Sequence, residues 1–140
     1  MIYVDTSVLV ALCVREHMTA AVSRWYASVK DDLISGAWCV TEFASALGIK
    51  RRTGQMNEEQ SAFAWRSFER ICSSDLQLTP IEPPVFHHAA VLALDASTGL
   101  RAGDALHLAT ALDCKAKTMA TLDTILANNS KQKKIRLVDF

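Results

Sequence analysis

Proline and glycine are scarce, at three and five of 140 residues, which excludes a collagen-like or low-complexity chain. An excess of charge of one sign is also lacking. Fifteen Lys and Arg balance fifteen Asp and Glu, so the basic coat of a non-specific nucleic-acid binder is absent. Local clusters remain at Lys50-Arg51-Arg52 and in the run KQKKIR at 131–136. Long apolar runs are missing: Val8–Val14 falls far short of the roughly 20 residues that cross a bilayer. The opening MIYVDTS has no basic region, long apolar core or cleavage site of a secretory signal. The chain therefore reads as soluble and cytoplasmic, with no membrane partner. Cysteine is present but unpatterned. Cys13, Cys39, Cys72 and Cys114 form no CxxC and no zinc-ligand spacing, and read as buried free thiols in a reducing compartment.

What is there is an ordinary globular composition, half apolar and 21% charged, in a length that suits one domain over residues 1–140. Ile2-Tyr3-Val4 is a short β-favouring run, and Asp5-Thr6-Ser7 can cap the apolar stretch that follows. Helical patterns cover Met18 to about Lys30, Thr41 to about Arg52, and a segment that starts at Asn57 with Gln60 three residues on. Leu33–Ser35 and Leu76–Ile81 read as strands. Further helices are expected over Val85–Ser97, from Gly103-Asp104 through Cys114, and around Thr124–Asn128. Lys117–Leu122 and Ile135–Val138 complete the strand candidates. Strands alternating with helices predict a single α/β domain, with a small, mainly parallel sheet flanked by helices.

Four acids stand apart from the solvated majority. Asp5 and Asp123 follow predicted strands, where open α/β sheets place their ligand crevice. Asp104 opens an almost wholly apolar helix, and Glu42 adjoins Phe43 at the margin of another apolar face. Taken singly, Asp5 and Asp104 suit helix caps, Glu42 a boundary position and Asp123 a turn. Arg101 is a possible ion-pair partner for Asp104. If the four meet, their repulsion requires protonation or a hard cation, and carboxylate-only ligation selects Mg²⁺ or Mn²⁺ over zinc.

The pieces IYVDTSVLVAL, VTEFASAL, LRAGDALHLATAL and TLDTIL span nearly the whole chain. In that order they resemble the PIN-domain ribonucleases, specifically the VapC toxins of bacterial toxin–antitoxin pairs. The resemblance implies a PIN-like fold and makes Asp5, Glu42, Asp104 and Asp123 the catalytic quartet, with Asp5, Asp104 and Asp123 on the metal. It implies a Mg²⁺- or Mn²⁺-dependent endoribonuclease toxin with an RNA substrate, a cognate antitoxin and a homodimeric state. One departure is local: many relatives carry a second acid soon after the fourth, whereas Thr124-Ile125-Leu126 follows Asp123 here. The alternatives are a DNA or structure-specific nuclease on the same fold and a non-cleaving nucleic-acid-binding module. A phospho-receiver domain fits poorly, because it needs an acid pair where Thr6-Ser7 follows Asp5.

Around the quartet, Thr6 and Ser7 are candidates to orient Asp5 or a metal-bound water, against plain helix capping, and Thr121 resembles the family's hydroxyl before the fourth acid, against an ordinary strand threonine. Lys50, Arg51 and Arg52 continue the Glu42 helix and are candidates to grip RNA phosphates, against the plain reading of cations suiting a helix C-terminus. His107, one turn after Asp104, reads as a satisfied structural histidine within i,i+3 reach of it. Trp25, Trp38 and Trp65 read as core or dimer contacts rather than base-stacking platforms. Asp113 lies about 180° around the helix from Asp104, and Asp139 reads as surface.

Overall fold

A computed structural model describes all 140 residues. Five strands form one sheet in the order β3-β2-β1-β4-β5, every neighbouring pair parallel. They are β1 (Ile2–Val4), β2 (Leu33–Gly36), β3 (Leu76–Thr79), β4 (Thr118–Ala120) and β5 (Arg136–Leu137). Seven α-helices connect them: α1 (Thr6–Cys13), α2 (Thr19–Ser28), α3 (Trp38–Arg52), α4 (Glu58–Ser74), α5 (Pro83–Leu94), α6 (Ala102–Asp113) and α7 (Thr124–Gln132). None is long and apolar enough to cross a membrane.

The central strand shows why the sheet is sandwiched. Side chains alternate faces along a strand, and every residue of β1 is buried. Ile2 and Val4 join one apolar cluster with Val8, Leu9, Phe43 and Phe68. Tyr3 points the other way, into a second cluster with Leu108, Met119 and Leu126. The first cluster belongs to α1–α4, the second to α5–α7. Trp25 and Trp65 pack beside the first cluster, Trp25 edge-on to Phe140 and Trp65 against Phe43 and Phe68. All four cysteines are free, but only Cys39 is fully buried.

Several boundaries move for local reasons. α3 starts at Trp38, three residues before the expected Thr41. β3 stops at Thr79, because Pro80 cannot donate to a ladder. α5 ends at Leu94, and Ser97 falls in a short 3-10 turn capped by Asp95. The Asn57–Gln60 capping box forms as expected. β4 ends at Ala120, short of the expected Leu122, which leaves Thr121-Leu122-Asp123 free to turn over the sheet edge.

From β1 the chain adds β2 and β3 on one side; β4 and β5 lie on the other. Strand order therefore reverses between β1 and β4. Open parallel sheets place ligand crevices at the carboxyl ends of strands flanking such a switch point. Asp5 and Asp123 leave β1 and β4 there.

Candidate active site

Asp5 occupies the N-cap position of α1 in extended backbone, yet its side chain makes no cap hydrogen bond. Its Oδ2 instead accepts from Ser7 Oγ and from Thr121 Oγ1, each at 2.6 Å. Both hydroxyls are themselves held by backbone. Leu122 N–H donates to Ser7 Oγ at 2.9 Å, and Asp123 N–H to Thr121 Oγ1 at 3.0 Å. A hydroxyl that accepts from a backbone N–H keeps its own proton for the carboxylate, so this lattice locks Asp5 to the loop after β4. The capping reading holds for Asp123, whose Oδ1 accepts from Leu126 N–H at 2.7 Å. Its other oxygen takes no part in the cap.

Thr6 does not serve Asp5. It donates to Glu42 Oε1 at 2.7 Å and stands 3.2 Å from His107 Nε2. That histidine is the satisfied structural residue the sequence suggested, with different partners. It is fully buried and bonded at both nitrogens, but its partner is not Asp104. Nδ1 is 2.9 Å from the Tyr3 hydroxyl, which also accepts from Gly36 N–H at 3.0 Å. Nε2 pairs closely with Glu42 and lies 3.7 Å from Asp5 Oδ1. Burial opposes the imidazolium, but the Glu42 hydrogen bond and the charges of Asp5, Glu42 and Asp104 outweigh it and raise the pKa. Burial likewise opposes the Glu42 charge, and His107, Thr6 and the Trp38 indole together hold its carboxyl below the usual range. Gly103 makes room for this arrangement. A Cβ there would stand 2.7 Å from Glu42 Oε2.

Asp104, on the first turn of α6, meets no such compensation. Arg101 is exposed and forms no ion pair with it. Burial raises the Asp104 pKa first, then the charges of Asp123 and Asp5, with Glu42 adding and His107 opposing. Asp104 thus feels the charges of the other three predicted acids. No three His, Cys, Asp or Glu side chains form a ready-made ligand cluster. The donor set still fits a hard cation. Asp104 carries no hydrogen-bonded stabilisation, Asp5 Oδ1 and one Asp123 oxygen lie outside the hydroxyl and cap bonds, and all are oxygen. Asp113 and Asp139 are exposed and away from the crevice.

The basic cluster divides. Lys50 reaches the groove that continues from the acids along α3, where it is bound to Glu16 at 2.7 Å. Arg51 and Arg52 face a separate groove between α3 and α4. Sequence reasoning missed Tyr3, His107 and Trp38 as parts of the site. No spacing rule relates them, because the sheet edge brings them together.

Residues 2–132 match the family model described as the PIN domain. Among solved structures, VapC20 of Mycobacterium tuberculosis, described as a sarcin-ricin loop cleaving toxin, is similar with a TM-score of 0.76 and 14% identity, covering 92% of this chain and 95% of that one. FitAcB of Neisseria gonorrhoeae is similar with a TM-score of 0.68 and 20% identity, over 99% and 97%. VapBC2 of Rickettsia felis, bound to a DNA fragment from its promoter, gives a TM-score of 0.65 and 17% identity, over 99% and 98%. Among curated proteins no sequence relative matches.

Proposed function

The chain belongs to the PIN-domain family, and on that premise we propose that it is a metal-dependent endoribonuclease toxin of the VapC type, cutting single-stranded or looped RNA. The observation that carries this reading is the match of residues 2–132 to the PIN domain, in a fold where Asp5 and Asp123 leave β1 and β4 at the strand-order switch and Asp104 sits on the first turn of α6. Asp5, Asp104 and Asp123 would hold Mg²⁺ or Mn²⁺. Bound there, the ion supplies the positive charge that lowers the pKa of a water and steadies a leaving oxygen.

The chain's own groups then have separate tasks. Ser7 and Thr121 fix the orientation of Asp5 by donating to one of its oxygens. Thr6 and His107 hold Glu42 ionised at the crevice wall, where a carboxylate suits the orientation of an attacking water and acceptance of its proton. The partners proposed are an antitoxin and a second copy of the chain. The VapC20 and VapBC2 folds support a toxin–antitoxin setting. Phe86, Val91 and Leu94 leave an exposed apolar strip along α5 that suits a homodimer.

Brief expression followed by mapping of RNA ends tests the activity. New ends are expected with wild type, and in vitro cleavage should stop in chelator and return with Mn²⁺. Accumulation of DNA ends alone would move the reading to a DNA nuclease on the same fold. Binding without any cut would leave a non-cleaving module.

A further inference from the structure

The groove beside the acids is more than their margin. It encloses about 500 Å³ and shares Thr6, Ser7 and Glu42 with the crevice. Its apolar lining is Val10, Ala46, Leu122 and the half-exposed Ile49. Lys50 is the only cation lining it. Glu42, Ala46 and Lys50 stand at i, i+4 and i+8 on α3, so the groove runs about 12 Å along the helix from acid to lysine. The Lys50 side chain is only 18% exposed, because it is drawn to Glu16 on the connection between α1 and α2. A lysine of that length normally extends into water.

We propose that this groove is the subsite for the nucleotide flanking the scissile bond. The base lies against the apolar lining of Val10, Ile49 and Leu122, and Lys50 takes the adjoining phosphate. Glu16 competes with that phosphate for the same ammonium. The inference rests on the ribonuclease reading and adds a residue pair that tunes RNA affinity with opposite signs. RNA is the occupant the observations favour. The groove is lined by Glu42 and by Thr6 and Ser7, the residues next to Asp5, so a strand placed for cleavage has a path into it, and its cation and apolar lining match a phosphate and a base.

The sign of the effect is the test. Binding of short fluorescein-labelled single-stranded RNA of randomised sequence is measured by anisotropy in an Asp104→Asn background. Lys50→Ala should weaken binding about tenfold, the worth of one charge-assisted hydrogen bond. It should also reduce the salt slope by about 0.7, as expected for one phosphate contact. Glu16→Gln frees the ammonium and should tighten binding. Lys50→Arg, which keeps the charge, should stay near wild type, and the Lys50→Ala/Glu16→Gln double variant should behave like Lys50→Ala. Melting temperatures establish that each variant is folded.

Equal weakening by Lys50→Ala and Glu16→Gln would overturn the proposal and reduce the pair to a staple between α3 and the α1–α2 connection. Unchanged RNA binding in both, with wild type still cutting RNA, would overturn the subsite alone. If the same variants then altered affinity for the cognate antitoxin, the groove would pass to a protein partner. A wild type that neither cuts nor binds RNA would remove the ribonuclease reading and the subsite together.

Discussion

On the α3 side of the crevice, Glu42 meets a buried histidine, a threonine hydroxyl and an indole N–H; at the start of α6, Asp104 meets mainly other acids. Both carboxyls are partly buried, and burial alone pushes both pKa values up. They end on opposite sides of their ordinary values because of what the fold places next to them. Glu42 is lowered by His107 and Thr6, whereas Asp104 is raised further by Asp123 and Asp5. One half of the site neutralises its own charge, and the other keeps an excess of negative charge. A purely structural acid is expected to resemble Glu42, since uncompensated buried charge destabilises the fold. Asp104 does not: its pKa is raised by burial and by neighbouring acids, and a carboxyl with that environment in a cleft is a functional-site candidate.

The largest break in this comparison is expected in cleavage. Asp104→Asn removes the carboxylate with the fewest partners and should lower metal-dependent RNA cleavage by about a thousandfold, a rise of about 4 kcal/mol in the barrier. Asp113→Asn, on the exposed side of the same helix, should leave it near wild type. Single-turnover rates on an RNA that wild type cuts decide the matter. Equal loss from both would refute the assignment of α6 to the site.

A second break falls on the compensated half. His107→Gln leaves Glu42 without its buried partner, which should cost about 3 kcal/mol. That lies at the low end for a buried pair, because Glu42 keeps 26% of its side chain exposed. The sign of the pH dependence follows from the two shifts. His107 is raised in the folded state, so its contribution is complete below the unfolded value of about 6.5 and is lost as pH rises through the folded value. Glu42 is lowered, so its contribution is present above about 4.3 and lost as pH falls through its folded value. Wild-type melting temperatures in chelator should therefore decline as pH rises from about 6.5 through the folded value of His107. The His107→Gln variant should lose that decline. An unchanged slope would mean that the imidazole is neutral in the fold.

How much of this was legible follows the same division. The acids lie at strand ends and helix starts, and strand alternation and helix caps announce those places in the sequence. Local pattern marked Asp5, Asp123 and Asp104 as acids at strand ends and a helix start, while their grouping into one site came only from the resemblance to the PIN-domain family. The His107–Glu42 pair carried no such mark. Its members are 65 residues apart, and they meet only because α3 and α6 approach over the same sheet edge from opposite faces. Helix periodicity gave no help with His107, because residues 105–111 are buried all around α6. A helix buried on every side carries no facing information in its apolar stripe. The i,i+3 rule therefore suggested Asp104 as the partner, and the fold turns the ring under the sheet edge to Tyr3 and Glu42 instead. The hydroxyls behaved similarly: Ser7 and Thr121 hold Asp5, while the adjacent Thr6 serves Glu42.

The smallest expected effect sharpens the comparison most, because its sign is unusual. Asp104 has a folded pKa above its unfolded value of about 3.9. Stability therefore falls as pH rises through that interval, and at neutral pH the ionised carboxyl opposes folding. Asp104→Asn should then melt in chelator at or slightly above wild type, by about 1–3 °C, although most substitutions at partly buried positions destabilise. Adding Mn²⁺ reverses the order. At ten times its dissociation constant the ion should stabilise wild type by about 1.4 kcal/mol, while Asp104→Asn should gain much less. Asp113→Asn should follow wild type in both conditions. Thermal melts of the three proteins, with chelator and with Mn²⁺, separate the possibilities. A variant melting well below wild type in chelator would show that the Asp104 charge supports the fold, as the Glu42 charge does. An equal gain from Mn²⁺ in all three would place the ion outside the crevice, and the contrast between its two halves would then have no bearing on metal binding.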